Sequence, residues 1–523
     1  MKNSFKQNRP LEFHGRGDRY LADIAAGLLR KLLKNQKNYA SPTLVLEREA
    51  LGELALVLVE FAEDTHADIG IWRSLESAQQ ERLGTPLPFF VAPEESSPAL
   101  SPFDQRRVQF LLWTLSSSFF KNLILSPTHP DLSLLSEVAS NYLAEHFPPI
   151  PKDSGVKKFL ATENRFGWDV KRKLVWLGLN SYLFRLLWKI SSESADSKKS
   201  NIPNMDDFIC QGSTLWAGLG AIDILAGTLD LPEEDRETLR SWYERHMGAY
   251  RMLATSNPEG AFITARNIVN GEPYTIRLNR ADSLFKPGIL IIGSLTPWHG
   301  EWYWSGEQKN LGTASEALEA EIRADFFKQG NFIYRYCLPE AETVRQQAKQ
   351  NHEKFVAHYG SEFVRFPDGL TAVAEEQKRL QKNWDNAPPE GVQKALKAAG
   401  LTEPPITMKF PPQFLAQKEG IGVFSHPHEG VELLSSYNHI TSGMQKQGKD
   451  LTSEEAEAIR GAITSRAICP AYIYRLVNEY GAQSIARAFC ISNQPLPLVL
   501  EVLLRQFKGH FYRRHYPPIV LRA

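Results

Sequence analysis

Three carboxylates stand at helical spacing early in the chain. Glu60, Asp64 and Asp68 fall at i, i+4 and i+8, with Glu63 and His66 between them. On one helix face they could hold Mg²⁺ or Mn²⁺, which take oxygen ligands. A metal-dependent hydrolase or nuclease would be the corresponding enzyme. The plainer reading, and the one expected here, is structural: a solvated helix end whose acids meet solvent, Lys or Arg, because charged side chains mostly stay exposed. Ile69-Gly70 marks where that helix should stop.

A second constellation is His426, His428 and Glu429, with His439 further on. Two histidines two apart on a strand share a face and can bind Zn²⁺. Pro427 between them and Gly430 after them point instead to a hairpin turn, where that geometry fails. No Cys joins the set at ligand spacing, so no metal or cofactor is expected. Pro367-Asp368 with Glu376 and Lys378 superficially resembles a nuclease signature, but the second pair lies in a helical segment. GSTLWAGLGA lacks the Gly-Lys-Ser/Thr of a phosphate loop, and no G-x-S-x-G nucleophile elbow occurs. No catalytic residue is assigned, and a non-enzymatic protein is the leading expectation.

Two groups suit binding rather than catalysis. The densest aromatic cluster is Trp298, Trp302, Tyr303 and Trp304, with His299 in the turn between them. Exposed Trp stacks on bases or anchors a protein partner. The alternative is packing against the helices on either side. The tail KGHFYRRHYPP sets Lys508, Arg513 and Arg514 among Phe511, Tyr512 and Tyr516, a pattern that neutralises phosphates and stacks bases. The alternative is a basic tail docked on the acidic N-terminal part.

These residues are carried by elements of two periods. Helical spacing dominates the first 250 residues, as in Leu21, Ile24, Ala25, Leu28 and Leu32. Helices are expected over about 46–63, 72–82 and 168–190, and the last runs through DRETLRSWYERHMGAYRML. SSESADSKKSN breaks the series as a mobile loop or linker over 191–204. At Gly260 the period drops to two. Asn270-Gly271 signals a type I′ hairpin, Pro287-Gly288 a turn, and Pro297 to Gly300 another. Four or five short strands in about 50 residues must hide their edges by curling, which makes a small SH3-like barrel the economical fold. Beyond it, SEFVRFP reads as a strand, GIGVFSHPHEGVELLSSYN as a hairpin turning at Pro427 to Gly430, and the rest as helix. The fold expected is α+β and mostly helical. It comprises a helical domain (1–257), a small SH3-like β-barrel (258–311) and a mixed α/β and helical domain (312–523).

Bulk composition excludes several classes. At 523 residues the chain exceeds one ordinary core. The 60 basic and 60 acidic residues cancel, which argues against a DNA-coating field. Residues 461–523 nonetheless carry eight Lys or Arg against two Glu, a local excess of +6. The four cysteines show no CxxC spacing, as suits a reducing cytoplasm. The polar N-terminus is not a secretory signal, and the apolar runs carry glutamates, so no membrane span is expected.

Several segments resemble an uncharacterised family of bacterial proteins, a domain of unknown function with no assigned activity. EFAEDTHADIGIW followed by LGTPLPFF resembles that family's helix with an aromatic-x-Glu-Asp core and later Leu-Pro-Phe. VQFLLWTLSSS resembles its next helix, PWHGEWYWSG its W-x-x-E-W-W-x-S-G strand, and VFSHPHEGVEL its F-N-P-x-x-G-I-E hairpin, which lacks the two histidines found here. The resemblance spans most of the chain and implies a recurring bacterial unit, but no catalytic residue. The function expected is that of a cytoplasmic binding or scaffold protein whose partner is protein or nucleic acid.

Overall fold

The computed structural model describes residues 2–41, 44–92, 100–120, 124–193, 202–255, 261–279, 285–329, 338–386, 388–393 and 410–513. The helical body is built from α1 (Lys2–Gln7), α2 (Asp18–Asn35), α3 (Arg48–Ala67), α4 (Ile71–Leu83), α5 (Gln105–Phe119) and α6 (Pro130–His146). It continues with α7 (Gly155–Leu160), α8 (Gly167–Asn180), α9 (Arg185–Glu193), α10 (Ile202–Gln211), α11 (Ala221–Thr228) and α12 (Glu233–Ser241). The apolar stripe read along α2 is buried as its spacing requires. α3 is different: it is buried nearly all round, acids included, so it runs through the core rather than over it. Trp72 of α4 meets Phe61 of α3 edge-on at 4.7 Å and Trp216 at 6.3 Å. The linker expected over 191–204 falls mostly on 194–201, outside the described residues, with helix on both sides.

The last expected helix stops early. α12 ends at Ser241, and HMGAYRML becomes β1 (His246–Thr255). Its alternate residues Tyr250 and Met252 fill a sheet core, and that tertiary demand overrides a sequence that also fits helical spacing. β2 (Phe262–Asn267), β3 (Pro273–Arg277), β4 (Ile289–Trp298) and β5 (Glu301–Thr313) follow. The Asn270-Gly271 hairpin forms as a longer loop, in which only Gly271 of the pair has positive φ. The turn with positive φ at both central residues is His299-Gly300, between β4 and β5.

The five strands close in the order β1-β2-β3-β5-β4. β1 lies between β2 and β4, and all these pairings are antiparallel except one. The exception is a single parallel pair, Ile276 opposite Trp302, which joins β3 to β5 and completes the closure. These pairings do not show the SH3-like arrangement expected from strand count. β5 is inserted between β3 and β4, so the sheet is not a sequential meander.

α13 (Glu316–Gln329) lays Ile322 and Leu318 over the outer side of the sheet, against Ala249 and Leu290. A helix at Leu338–Tyr359 then leads to β6 (Phe363–Phe366), and a helix at Gly369–Asp385 precedes β7 (Ile421–His426) and β8 (Gly430–Ser435). These strands form an antiparallel sheet in the order β6-β7-β8, with the strand and hairpin where the sequence placed them. Helices from Tyr437–Gln445 to Leu496–Lys508 follow, so the fold is mixed α+β. No helix among the described residues is long and apolar enough to cross a membrane.

Candidate functional site

The acidic helix is committed residue by residue. Glu60 takes the guanidinium of Arg185, which also reaches Glu53 at 2.7 Å. Glu63 accepts from Arg9 at 2.7 Å and from Ser154 at 2.6 Å. Asp64 accepts from the backbone N–H groups of Gly70, Ile71 and Trp72 at 2.9, 3.1 and 2.6 Å, and from the Tyr182 hydroxyl at 2.6 Å. It therefore holds the orphan donors at the start of α4. Burial pushes its pKa up to about 6, against the pull of these four donors. Asp68 ends α3 in the left-handed region and pairs with Arg73 at 2.6 Å in solvent. Glu60, Glu63 and Asp68 thus meet arginines, as expected, whereas Asp64 meets backbone N–H groups and a phenol; the solvated helix end is corrected, because Glu60, Glu63 and Asp64 are buried. Glu60, Asp64 and Asp68 have separate partners, and no group of three acids, histidines or cysteines placed to hold a metal ion occurs among the described residues.

The aromatic cluster is a joint between layers. Trp298 is fully buried; its indole donates to the Asn164 carbonyl at 2.8 Å and its ring meets Trp242 at 6.0 Å. Tyr303 is buried against α8, where a Cβ on Gly167 would come within 2.6 Å of its ring. Trp302 and Trp304 face the other way, as the strand alternation required, and pack on Tyr274 and Tyr250 inside the closed sheet. Tyr303's side faces the helical body and not solvent. An exposed Trp stacking surface is therefore corrected to packing on both sides. His299 remains partly exposed, 3.0 Å from Asp235.

Just past the aromatics, Ser305 donates to Asp206 of α10, and Lys171 donates to Asp206 and, at 2.8 Å, to Ser305. Arg245 closes the network on Asp206 and Asp207. Burial would raise the Asp206 carboxyl, but Lys171 and Arg245 hold it below the ordinary range. Sequence reading missed this network, because its members are far apart in the chain and follow no motif.

The basic tail divides. Lys508 is fully buried and donates to the carbonyls of Ala462 at 3.0 Å and Ser465 at 2.7 Å. Burial lowers its pKa to about 8. It is a strut, which corrects its assignment as a phosphate contact. Arg513 donates to the carbonyls of Gln211 at 2.6 Å and Gly212 at 3.2 Å and lies over the Tyr243 ring. The tail up to this point is docked on the helical body. Arg514 lies outside the described residues. At the hairpin, His426 Nδ1 accepts from the backbone N–H of His428 and of Glu429, so it braces the turn with a lone pair a metal would need. Burial lowers its pKa.

Residues 12–214 match the model of a family described as protein of unknown function (DUF3843). The matched span holds EFAEDTHADIGIW, LGTPLPFF and VQFLLWTLSSS, and ends before the five-stranded sheet. No curated protein and no solved structure matches the chain.

Among the described residues, one surface beyond the matched span is left uncovered. The outer side of β4 and β5 is taken by the helical body and that of β1 and β4 by α13. The outward residues of β2 and β3 are exposed or half-exposed: Phe262, Thr264, Arg266, Thr275 and Arg277. In register, Phe262 lies opposite Arg277, Thr264 opposite Thr275, and Arg266 opposite Arg251 of β1. Their alternation was legible in the sequence, but which face would stay uncovered depended on packing partners distant in the chain.

Proposed function

We propose that this chain is a non-enzymatic binding or scaffold protein of the cytoplasm, in which a helical body holds a small β-module in fixed orientation toward a protein or nucleic-acid partner. The observation that carries the reading is how the reactive side chains are used. The carboxylates, histidine and lysine that sequence spacing offered to chemistry instead cap helices, brace a turn and join layers, while an uncovered sheet face is left to the outside. The free thiols of Cys210, Cys469 and Cys490 support a reducing compartment. A division into helical, β and mixed units belongs to the same reading, with the β-module as the part that meets the partner.

The test is affinity capture of the full chain from its own cell, with and without nuclease, beside a hydrolase screen in Mn²⁺ and Mg²⁺. A partner recovered in stoichiometric amount supports the reading. A metal-dependent phosphodiesterase activity abolished by Glu60→Gln in a protein that still melts normally would replace it with the hydrolase.

A further inference from the structure

We propose that the outward face of β2 and β3, with Arg251 of β1 at its border, binds single-stranded nucleic acid, with Arg251 and Arg266 on phosphate and the Phe262–Arg277 pair stacking on bases. This inference rests on the binding-protein reading above and names its partner.

Four observations converge. Charge comes first. The strands HMGAYRMLAT, FITARN and PYTIR carry three arginines and no acid. Arg251 and Arg266 stand directly opposite each other across the β1–β2 ladder. Like charges in that register repel, and an anion between them removes the penalty. Glu319 of α13 pairs with Arg251, whereas Arg266 is exposed and has no carboxylate partner among the described residues.

Planar surfaces come second. The Arg277 guanidinium lies 4.2 Å from the centre of the Phe262 ring and 5.1 Å from that of Phe166, and Arg165 lies 5.0 Å from Phe166 on its own account. Glu301 grips Arg277 from the side, which fixes the plane. A preorganised row of guanidinium and aromatic planes suits bases freed from a duplex, since every base offers a π-face.

Third is the middle of the face. Thr264 and Thr275 are small and polar, so a strand of nucleic acid can lie close to the sheet between the arginine row and the stacking row. Fourth is topology. A closed five-stranded sheet in which β5 lies between β3 and β4 is a Greek-key arrangement, and the small barrels that bind oligonucleotides do so across their second and third strands. Topology alone would not carry function; here it coincides with the chemistry on a face that stands exposed among the described residues. A duplex fits less well, because its bases are already stacked. An acidic peptide would satisfy the arginines but not the planes.

The test uses the full chain and labelled oligonucleotides of about 12 nucleotides, single-stranded DNA and RNA, in anisotropy titrations at about 50 and 200 mM salt. Binding that weakens with salt is expected. Arg266→Ala should flatten the slope of log K against log salt by about 0.7, one single-strand phosphate contact. Phe262→Ala should weaken binding roughly tenfold, the loss of one stacking contact. Thr275→Glu, an exposed change that puts an acid between the rows, should abolish binding while the melting curve stays unchanged. No binding at low salt, or binding that none of the three substitutions alters, overturns the proposal. So does a preference for poly-glutamate or anionic vesicles over the oligonucleotide. A partner that is still captured after nuclease treatment and by Arg266→Ala would also overturn it, yet leave the broader binding reading standing.

Discussion

Asp64 shows how a carboxylate that looks reactive in sequence becomes structural. Its two oxygens receive three backbone N–H groups and one phenol, so no acceptor capacity is left for a metal without breaking the start of α4. Asp64→Ala should cost about 3 kcal/mol or more, because the donors it satisfies would stay buried and unpaired. Urea unfolding reads this directly. Glu432 makes the opposite case, a buried acid whose charge is a burden. Its Oε2 accepts from the Cys469 N–H at 2.9 Å; burial first and Glu429 second push its pKa up to about 7, with Lys508 pulling the other way. A raised carboxylate pKa means the folded state holds its proton longer than the unfolded chain. The stability this gives is full below about pH 4.5 and is lost as pH rises through about 7. Glu432→Gln keeps the acceptor and removes the titration. It should flatten that decline, with a gain on the order of 1–3 kcal/mol at about pH 8 and little change at about pH 4. Chemical denaturation across that pH range decides it.

At the scale of elements, legibility followed local constraint. The apolar stripe of α2, the β7–β8 hairpin and the placing of Trp302 and Trp304 on the side opposite Tyr303 depend only on period and turn residues, and all three were readable; which of the two sides turned inward was not. The β1 strand was not, because its residues satisfy both periods and only the neighbouring strands β2 and β4 choose between them. The tight turn was assigned to Asn270-Gly271 when His299-Gly300 has the two positive φ angles, since histidine is a less obvious left-handed residue than asparagine. The joint between sheet and helices was invisible for a different reason. Lys171, Asp206, Arg245 and Ser305 come from four separate stretches, and no spacing links them. Asp206→Ala would strand the Lys171 and Arg245 charges in a buried joint and should cost about 3–5 kcal/mol. Because Lys171 and Arg245 hold the Asp206 pKa below its ordinary 3.8, the stability it contributes is present above about pH 4 and fades as pH falls further. Wild type should therefore lose stability in acid more steeply than the Ala variant, a comparison thermal melts at about pH 3 and pH 6 would make.

At the scale of the whole molecule, buried clusters reach across residues 257 and 311, where the change of period divided the chain. Trp298 and Tyr303 belong to the core of the helical body, and Phe89, from the loop after α4, is buried in the core of the C-terminal helices. Gln494 donates to the Phe89 carbonyl at 3.4 Å, and Arg513 returns the C-terminal helix to the loop after α10. Periodicity marks where chain character changes; it carries no record of which surfaces later meet. The docked arginine gives the sharpest distinction between a tail that binds ligand and a tail that binds its own protein. Arg513 makes charge-assisted hydrogen bonds to the carbonyls of Gln211, Gly212 and Gly218 and lies 4.1 Å from the centre of the Tyr243 ring, with its side chain only 17% exposed. Arg513→Ala should thus lower stability by about 1–3 kcal/mol. It should leave the oligonucleotide affinity and its salt slope where they are, since the arginines proposed to contact phosphate are Arg251 and Arg266. Phe89→Ala should cost about 3–5 kcal/mol for the ring lost from the C-terminal core. Its melt should remain one transition if body and C-terminal helices unfold together. A melting curve beside a two-salt anisotropy titration separates the outcomes. A flattened salt slope in Arg513→Ala with unchanged stability would return the tail to the ligand, and a melt that splits in two in Phe89→Ala would show that the C-terminal helices fold as a unit of their own.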